Sequence, residues 1–230
     1  MNLLAIETST RLLSVALWRD GDLLERSAER PNGGSELIIP WVGELLAEAG
    51  LTLARLDGIA FGAGPGGFTG LRLACGVTQG LAFGADLPLL AVGSLEALAL
   101  TCGAERVYAC LDARMNEIYS AAYEIRDGNL VAILAPAVTS PELAPLPPGG
   151  GWFGGGDGFA AYRPALDVRL GAAVSIVDAD RLPTAAAVAR LAAPRLARGE
   201  GGDAASAQPF YVRDKVALTT AERLARGGLR

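Results

Sequence analysis

Leu3-Leu4-Ala5-Ile6-Glu7-Thr8-Ser9-Thr10-Arg11-Leu12-Leu13-Ser14-Val15-Ala16-Leu17-Trp18-Arg19-Asp20-Gly21-Asp22 is the stretch whose reading decides the fold. Residues 3–6 form a short apolar strand that ends at Glu7-Thr8-Ser9-Thr10, residues 12–18 a second strand, and residues 23–28 a third. Arg19-Asp20-Gly21-Asp22 joins the last two. Asp-Gly between apolar runs signals a hairpin, because both residues tolerate the positive φ that a tight turn requires. About 105 residues later the same order returns. A strand over 107–111 ends at Asp112-Ala113-Arg114-Met115-Asn116, a second covers 118–125, Arg126-Asp127-Gly128-Asn129 turns the chain, and a third covers 130–134. An acid, Glu7 or Asp112, closes the first strand of each copy. So ordered a recurrence indicates a duplicated unit.

Between the copies, helix and strand alternate. Residues 35–49 read as a helix with Leu37, Trp41 and Leu45 on one line and Ile38, Val42, Leu45, Leu46 and Ala49 on another, and with Pro40 in or near its first turn. A strand over 56–62, a helix over 69–84, a strand over 87–92 and a helix capped by Ser94 and running through Leu100 follow. This alternation predicts α/β architecture, mixed sheets flanked by helices. Beyond Pro136 the chain reads as a Pro/Gly-rich loop over 141–151, a short strand over 152–156 and a helix over 159–166. An Ala-rich helix over 184–198 capped by Thr184, a connector over 199–206 and the extended Gln208-Pro209-Phe210-Tyr211-Val212-Arg213 complete it. The division expected is a first lobe over 1–103, a second over 104–216 and a tail over 217–230.

Composition excludes several chemistries. The 230 residues are 51% apolar and 20% charged, enough to bury a real core. There is no histidine, which removes Ser-His-Asp and Cys-His catalysis and every metal site that needs imidazole. Net charge is −5; from residue 181 onward nine Arg/Lys face four Asp/Glu, and before it eleven face twenty-one. An acidic body with a mildly basic end is a poor unaided nucleic-acid binder. Cys75, Cys102 and Cys110 match no metal or redox spacing and read as structural thiols of a reducing compartment. The first residues lack the features of a signal peptide and no apolar run is long enough to span a bilayer, so a cytoplasmic protein without membrane contact is expected.

Three motifs carry two readings each. Gly62-Ala63-Gly64-Pro65-Gly66-Gly67-Phe68-Thr69-Gly70 is either a tight turn or a ligand- or partner-contacting loop with exposed backbone N–H groups. It matches G-x-G-x-x-G but lacks the strand order and the later acid of a dinucleotide site. Gly76, Gly80 and Gly84 fall on one helix face, each at a cost of about 1 kcal/mol in helix propensity. They serve close packing either on the chain's own sheet or on another molecule. Glu7 with Thr8, Ser9 and Thr10 is either a turn or a site for a hydrated Mg²⁺ beside nucleotide phosphates, a site that Ala113-Arg114-Met115 does not reproduce in the second copy.

Ala5-Ile6-Glu7-Thr8-Ser9-Thr10, Gly64-Pro65-Gly66-Gly67-Phe68-Thr69-Gly70-Leu71-Arg72, Asp112-Ala113-Arg114-Met115-Asn116-Glu117-Ile118-Tyr119 and Pro209-Phe210-Tyr211-Val212-Arg213-Asp214-Lys215 resemble, in order, the signature segments of the bacterial TsaB (YeaZ-type) family. The resemblance implies two related actin/hexokinase/Hsp70-like (ASKHA, ribonuclease H-like) halves. It implies a non-catalytic dimerisation subunit of the complex that transfers threonylcarbamoyl to N6 of the adenosine beside the anticodon in ANN-decoding tRNAs. The implied partners are a TsaD-type catalytic paralogue, a TsaE-type ATPase, tRNA through the complex, and a second copy of the chain when it is alone.

The same resemblance places the partner interface on Leu37, Ile38, Trp41, Val42, Leu45, Phe68, Thr69, Leu71, Arg72, Gly76 and Gly80. No cofactor is required of this chain. ATP or ADP with Mg²⁺ is the candidate ligand, at Glu7, Thr8, Ser9 and Thr10 or at the complex interface. The resemblance implies that most relatives carry Asp where Glu7 stands, which weighs against autonomous ATP hydrolysis. An autonomous ASKHA-type ATPase or small-molecule kinase is the alternative. A peptidase, a label sometimes attached to the family, fails on the absence of histidine.

Overall fold

The computed structural model describes residues 1–30 and 33–213. The duplication appears as two five-stranded sheets of one topology. In the first, β1 (Asn2–Glu7), β2 (Leu12–Arg19), β3 (Asp22–Glu29), β4 (Gly58–Gly64) and β5 (Leu89–Gly93) lie in the order β3-β2-β1-β4-β5. In the second, β6 (Arg106–Arg114), β7 (Glu117–Arg126), β8 (Asn129–Thr139), β9 (Trp152–Gly155) and β10 (Val174–Asp178) repeat that order as β8-β7-β6-β9-β10. Each sheet is antiparallel across its three meander strands and parallel across the rest. Both Asp-Gly turns are built as the sequence suggests, with positive φ at Asp20 and Gly21 (50° and 108°) and at Asp127 and Gly128 (51° and 77°).

Five helices complete the layers: α1 (Ser35–Glu48), α2 (Phe68–Ala85), α3 (Ser94–Cys102), α4 (Gly158–Leu170) and α5 (Ala185–Ala197). α1 and α2 cover the outer face of the first sheet through Ile38, Val42, Leu45, Ala74 and Ala82 against Leu4, Ile6, Val15 and Phe61. α4 covers the outer face of the second sheet, packing Phe159, Leu166 and Leu170 on Tyr108, Cys110 and Trp152. α5 and α3 fill the space between the sheets. α5 sets Ala185, Val188, Ala189 and Ala192 on Leu3, Ala5, Ala16 and Ala60 of the first sheet, while α3 sets Leu95, Leu98 and Ala99 on Val107, Ala109 and Leu111 of the second. Each sheet is thus roofed on its inner side by a helix from the other half of the sequence. A boundary between 103 and 104 is a boundary in sequence; packing crosses it.

Several local expectations change. Ser94 is the first helical residue of α3, and the orphan N–H at Gly93 is met instead by Glu96 Oε2 at 3.1 Å. Pro40 is the sixth residue of α1, just past the first turn and on its exposed side. β6 runs past Asp112 to Arg114, and β8 continues through Pro136, which an edge strand tolerates because its missing N–H leaves no ladder bond unmade. α4 extends to Leu170 with a non-helical break at Tyr162, two residues before Pro164. β10 was not legible: it is a short edge strand with Ser175 and Ile176 exposed. Thr184 caps α5 as expected, accepting from Ala187 N–H at 3.2 Å. The 217–230 tail, Asp214 and Lys215 lie outside the described residues. Among the described residues no helix is long and apolar enough to cross a membrane.

The glycines divide sharply by environment, and that makes a test. A Cβ at Gly62 would sit 1.9 Å from Glu7 Oε2, whereas one at Gly80 meets nothing within 4 Å. Gly62→Ala should cost about 3 kcal/mol or more of unfolding free energy. Gly80→Ala should add up to about 1 kcal/mol by removing a helix-interior glycine. Urea unfolding of the two single variants measures both.

Candidate functional site

The turn after β1 and the glycine-rich loop after β4 are one packed unit. Glu7 ends β1 with 0% of its surface exposed. Its Oε1 accepts from Ser9 N–H at 2.6 Å and its Oε2 from the Ser94 hydroxyl at 3.0 Å, while Ser94 Oγ itself accepts from Gly64 N–H at 3.1 Å. The Thr8 hydroxyl donates to Gly70 O at 2.6 Å, and Gly67 N–H donates to Ser9 O at 2.7 Å. A Cβ at Gly66 would lie 2.6 Å from Ser9 Cβ, and one at Gly70 would lie 1.9 Å from Thr8 O. The glycines are there because the two loops touch backbone to backbone. Two of the loop's N–H groups, Gly64 and Gly67, are consumed inside this contact.

Of the four residues expected around phosphate or Mg²⁺, Glu7 presents no oxygen to solvent, and Thr8 and Ser9 are buried. Thr10 is half-buried and accepts from Leu12 N–H at 3.3 Å. Burial is the chief force on the Glu7 carboxyl and pushes its pKa up, against the donors at Ser9 and Ser94, which pull it down. Among the described residues no three His, Cys, Asp or Glu side chains cluster closely enough to hold a metal ion.

A cleft of about 930 Å³ lies between the sheets, bordered by Thr10, Arg11, Asp112, Asp157 and Arg213. Asp112, the counterpart of Glu7, is differently placed. Its Oδ1 accepts from Arg114 N–H at 2.8 Å and from the Tyr162 hydroxyl at 3.1 Å, and its Oδ2 pairs with the Arg114 guanidinium at 3.0 Å. Asp157, which sequence reasoning missed, accepts from Asp112 N–H at 3.0 Å and pairs with Arg11 of the first half at 3.1 Å. Burial raises the Asp157 carboxyl despite Arg11 and the Asp112 amide. Its only sequence signal was the Asp-Gly step before α4.

The α1–α2 face departs from expectation in detail. Ile38, Val42, Leu45 and Leu71, expected at an interface, are buried in the chain's own core, because α1 and α2 need that stripe to cover the first sheet. Outside it, α1 leaves Ile39 exposed and Leu37, Trp41 and Leu46 half-buried. α2 exposes Phe68, Thr69, Arg72, Gly76, Gly80, Gly84 and Phe83, the last 79% exposed. Among the described residues, a Cβ at Gly76, Gly80 or Gly84 would meet nothing within 4 Å, so packing on the chain's own sheet does not account for that stripe. The Arg72 guanidinium lies 3.8 Å from the Phe68 ring centroid and donates to the Tyr211 hydroxyl at 3.2 Å.

The family model described as TsaD: tRNA N6-adenosine threonylcarbamoyltransferase matches residues 33–151. The chain is 36% identical over 228 residues to the tRNA threonylcarbamoyladenosine biosynthesis protein TsaB of Escherichia coli, covering 94% of this chain and 96% of that one. It is 45% identical over 123 residues to the protein of the same name from Haemophilus influenzae, 52% of each chain. A solved Pseudomonas aeruginosa structure, described as an uncharacterized protein with similarity to peptidase YEAZ, superposes with TM-score 0.85 at 41% identity, covering 92% of this chain and 99% of that one. With the two like-ordered sheets, these matches establish a two-lobe actin/hexokinase-like (ASKHA) α/β fold.

The buried acid has a pH signature. A carboxyl raised above its usual value near 4.5 holds its proton more tightly folded than unfolded, so its contribution is fully present below that value and lost as pH rises through the folded value. Glu7→Gln removes that loss. Its unfolding free energy relative to the parent should therefore shift in the variant's favour as pH climbs from about 4 to about 8. Urea unfolding at stepped pH reads this, and a pH-independent difference contradicts it.

Proposed function

The chain belongs to the TsaB (YeaZ-type) family, and we propose that it serves tRNA threonylcarbamoyladenosine biosynthesis as a non-catalytic docking subunit. In this reading α1 and α2 pair with a TsaD-type catalytic paralogue. The assembled complex carries threonylcarbamoyl to N6 of the adenosine beside the anticodon in ANN-decoding tRNAs, and a TsaE-type ATPase joins it. Alone, the chain would pair with a second copy through the same face.

The observation that carries the proposal is the outer line of α2. Three helix-interior glycines, each costing about 1 kcal/mol of propensity, face open space beside an exposed Phe83. Among the described residues nothing offsets that cost, while a helix from another molecule can approach closely over a glycine stripe and bury Phe83 and Ile39 as it does so.

The chain's own groups weigh against independent catalysis. With no histidine there is no imidazole base. Burial pushes the Cys102 thiol up to about 12 and the Cys110 thiol upward as well, which removes the thiolate a nucleophile needs. An autonomous ATPase is disfavoured by a first-turn acid with no solvent-facing oxygen and a second turn, Ala113-Arg114-Met115, without hydroxyls.

Gly80→Arg and Phe83→Asp test the face directly. Both positions are exposed, so each isolated variant should melt within a few degrees of the parent, and Gly80→Arg should gain slightly. Co-purification of a co-expressed TsaD-type paralogue should fall at least about tenfold, a loss of about 1.4 kcal/mol or more, together with the modified nucleoside in tRNA. Full retention of the paralogue by both variants would retire the proposed face. Leu45→Arg is unsuitable here, because Leu45 is wholly buried and the charge would disrupt the core.

A further inference from the structure

We propose that residues 204–213 are a strap that couples α2 mechanically to the β6–β7 turn, so that the outer face of the first half and the inter-sheet cleft respond to each other. The strap binds α2 along one stripe. Gln79 Nε2 donates to Ala204 O at 3.0 Å and Ala207 O at 3.1 Å, the Cys75 thiol donates to Ala207 O at 3.6 Å, and Arg72 Nε donates to the Tyr211 hydroxyl at 3.2 Å. The Phe68 ring lies 6.0 Å from the Tyr211 ring. Positions 68, 72, 75 and 79 follow the helical repeat, so one face of α2 holds the whole length of the strap. In its middle, Phe210 N–H donates to Ala63 O at 2.7 Å and seats the strap beside the end of β4.

Two residues past Tyr211 the strap has crossed to the second half. The Arg213 guanidinium donates to Ala113 O at 3.0 Å and to Glu117, and lies 5.9 Å from the Tyr119 ring. It grips a turn that needs gripping. Arg114, Met115 and Asn116 are successive non-glycine residues at φ 59°, 56° and 59°, a left-handed run that side chains disfavour. Side chains meet the main chain at this turn: Asp112 accepts from Arg114 N–H, and Arg213 donates to Ala113 O. Asp112, Arg114 and Arg213 all border the cleft. The exposed line of α2, at Gly76 and Gly80, is one residue round the helix from Cys75 and Gln79, so a body seated on that line lies against the strap's anchors. This last consequence rests on the docking reading above; the coupling itself does not.

Hydrogen–deuterium exchange on the isolated full chain tests it. The double variant Arg72→Ala/Gln79→Ala should raise exchange at least about tenfold over residues 113–119, far from both substitutions in sequence, and Arg213→Ala should do the same over 204–211, since coupling is reciprocal. Adding Asn116→Gly, which relieves the left-handed residue, should restore protection over 113–119 in the α2 variant without restoring it over 204–211. Loosening confined to 204–211 in the α2 variant would overturn the proposal. With the catalytic paralogue added, the parent should gain protection over 113–119 and Arg213→Ala should not. If the paralogue fails to bind the parent, the docking reading falls while the exchange in the isolated chain still decides the strap.

Discussion

A carboxyl group sealed from water stands where three elements of the first half meet. Glu7 closes β1, receives the hydroxyl of the first residue of α3, and lies where any side chain at position 62 would have to be. A buried acid without donors would cost several kcal/mol, so the donors Ser9 and Ser94 come with it, and Ser94 in turn takes the N–H of Gly64. The route of the glycine loop, and with it the starting point and direction of α2, follow from this one group. This acid and its donors form an internal knot on which the outer face of α2 depends.

Where the sequence was legible, the signal was local. Asp20-Gly21 and Asp127-Gly128 announce their turns because positive φ is a property of the residues themselves, and the two turns flanked by like strands disclosed the duplication. The helices α1, α2 and α5 were readable from apolar spacing and from Thr184 at a cap. Illegible were the features that depend on where a side chain ends up. An acid at a strand end reads alike whether it faces a cleft, as Asp112 does, or the interior, as Glu7 does. Two apolar lines on α1 are more than one buried face needs, but spacing could not say which line belongs to the chain's own sheet. Ile38, Val42 and Leu45 do; Trp41 is half-buried against the same core, and Ile39 is exposed. Asp157 meets Arg11 across 146 residues of sequence, and no local pattern encodes that.

The division of surfaces follows a simple energetic order. α1 and α2 spend their strongest apolar stripe on the first sheet, which keeps the isolated chain folded, and leave a second line of glycines, half-buried leucines and Phe83. That second line is expensive to keep as it stands, since alanine at Gly76, Gly80 and Gly84 would strengthen the helix without coming within 4 Å of any other described residue.

The exchange of α3 and α5 between halves also orders events during synthesis. The first sheet is complete once Gly93 has been made, yet the helix that covers its inner face, α5, ends at Ala197. At a ribosomal pace of about 5–20 residues per second, the apolar surface of Leu3, Ala5 and Ala60 waits on the order of 5–20 s for its own cover. During that interval the nascent first half is a sheet with one finished side, and a holding chaperone or an early neighbour has access to a surface that the mature protein never shows.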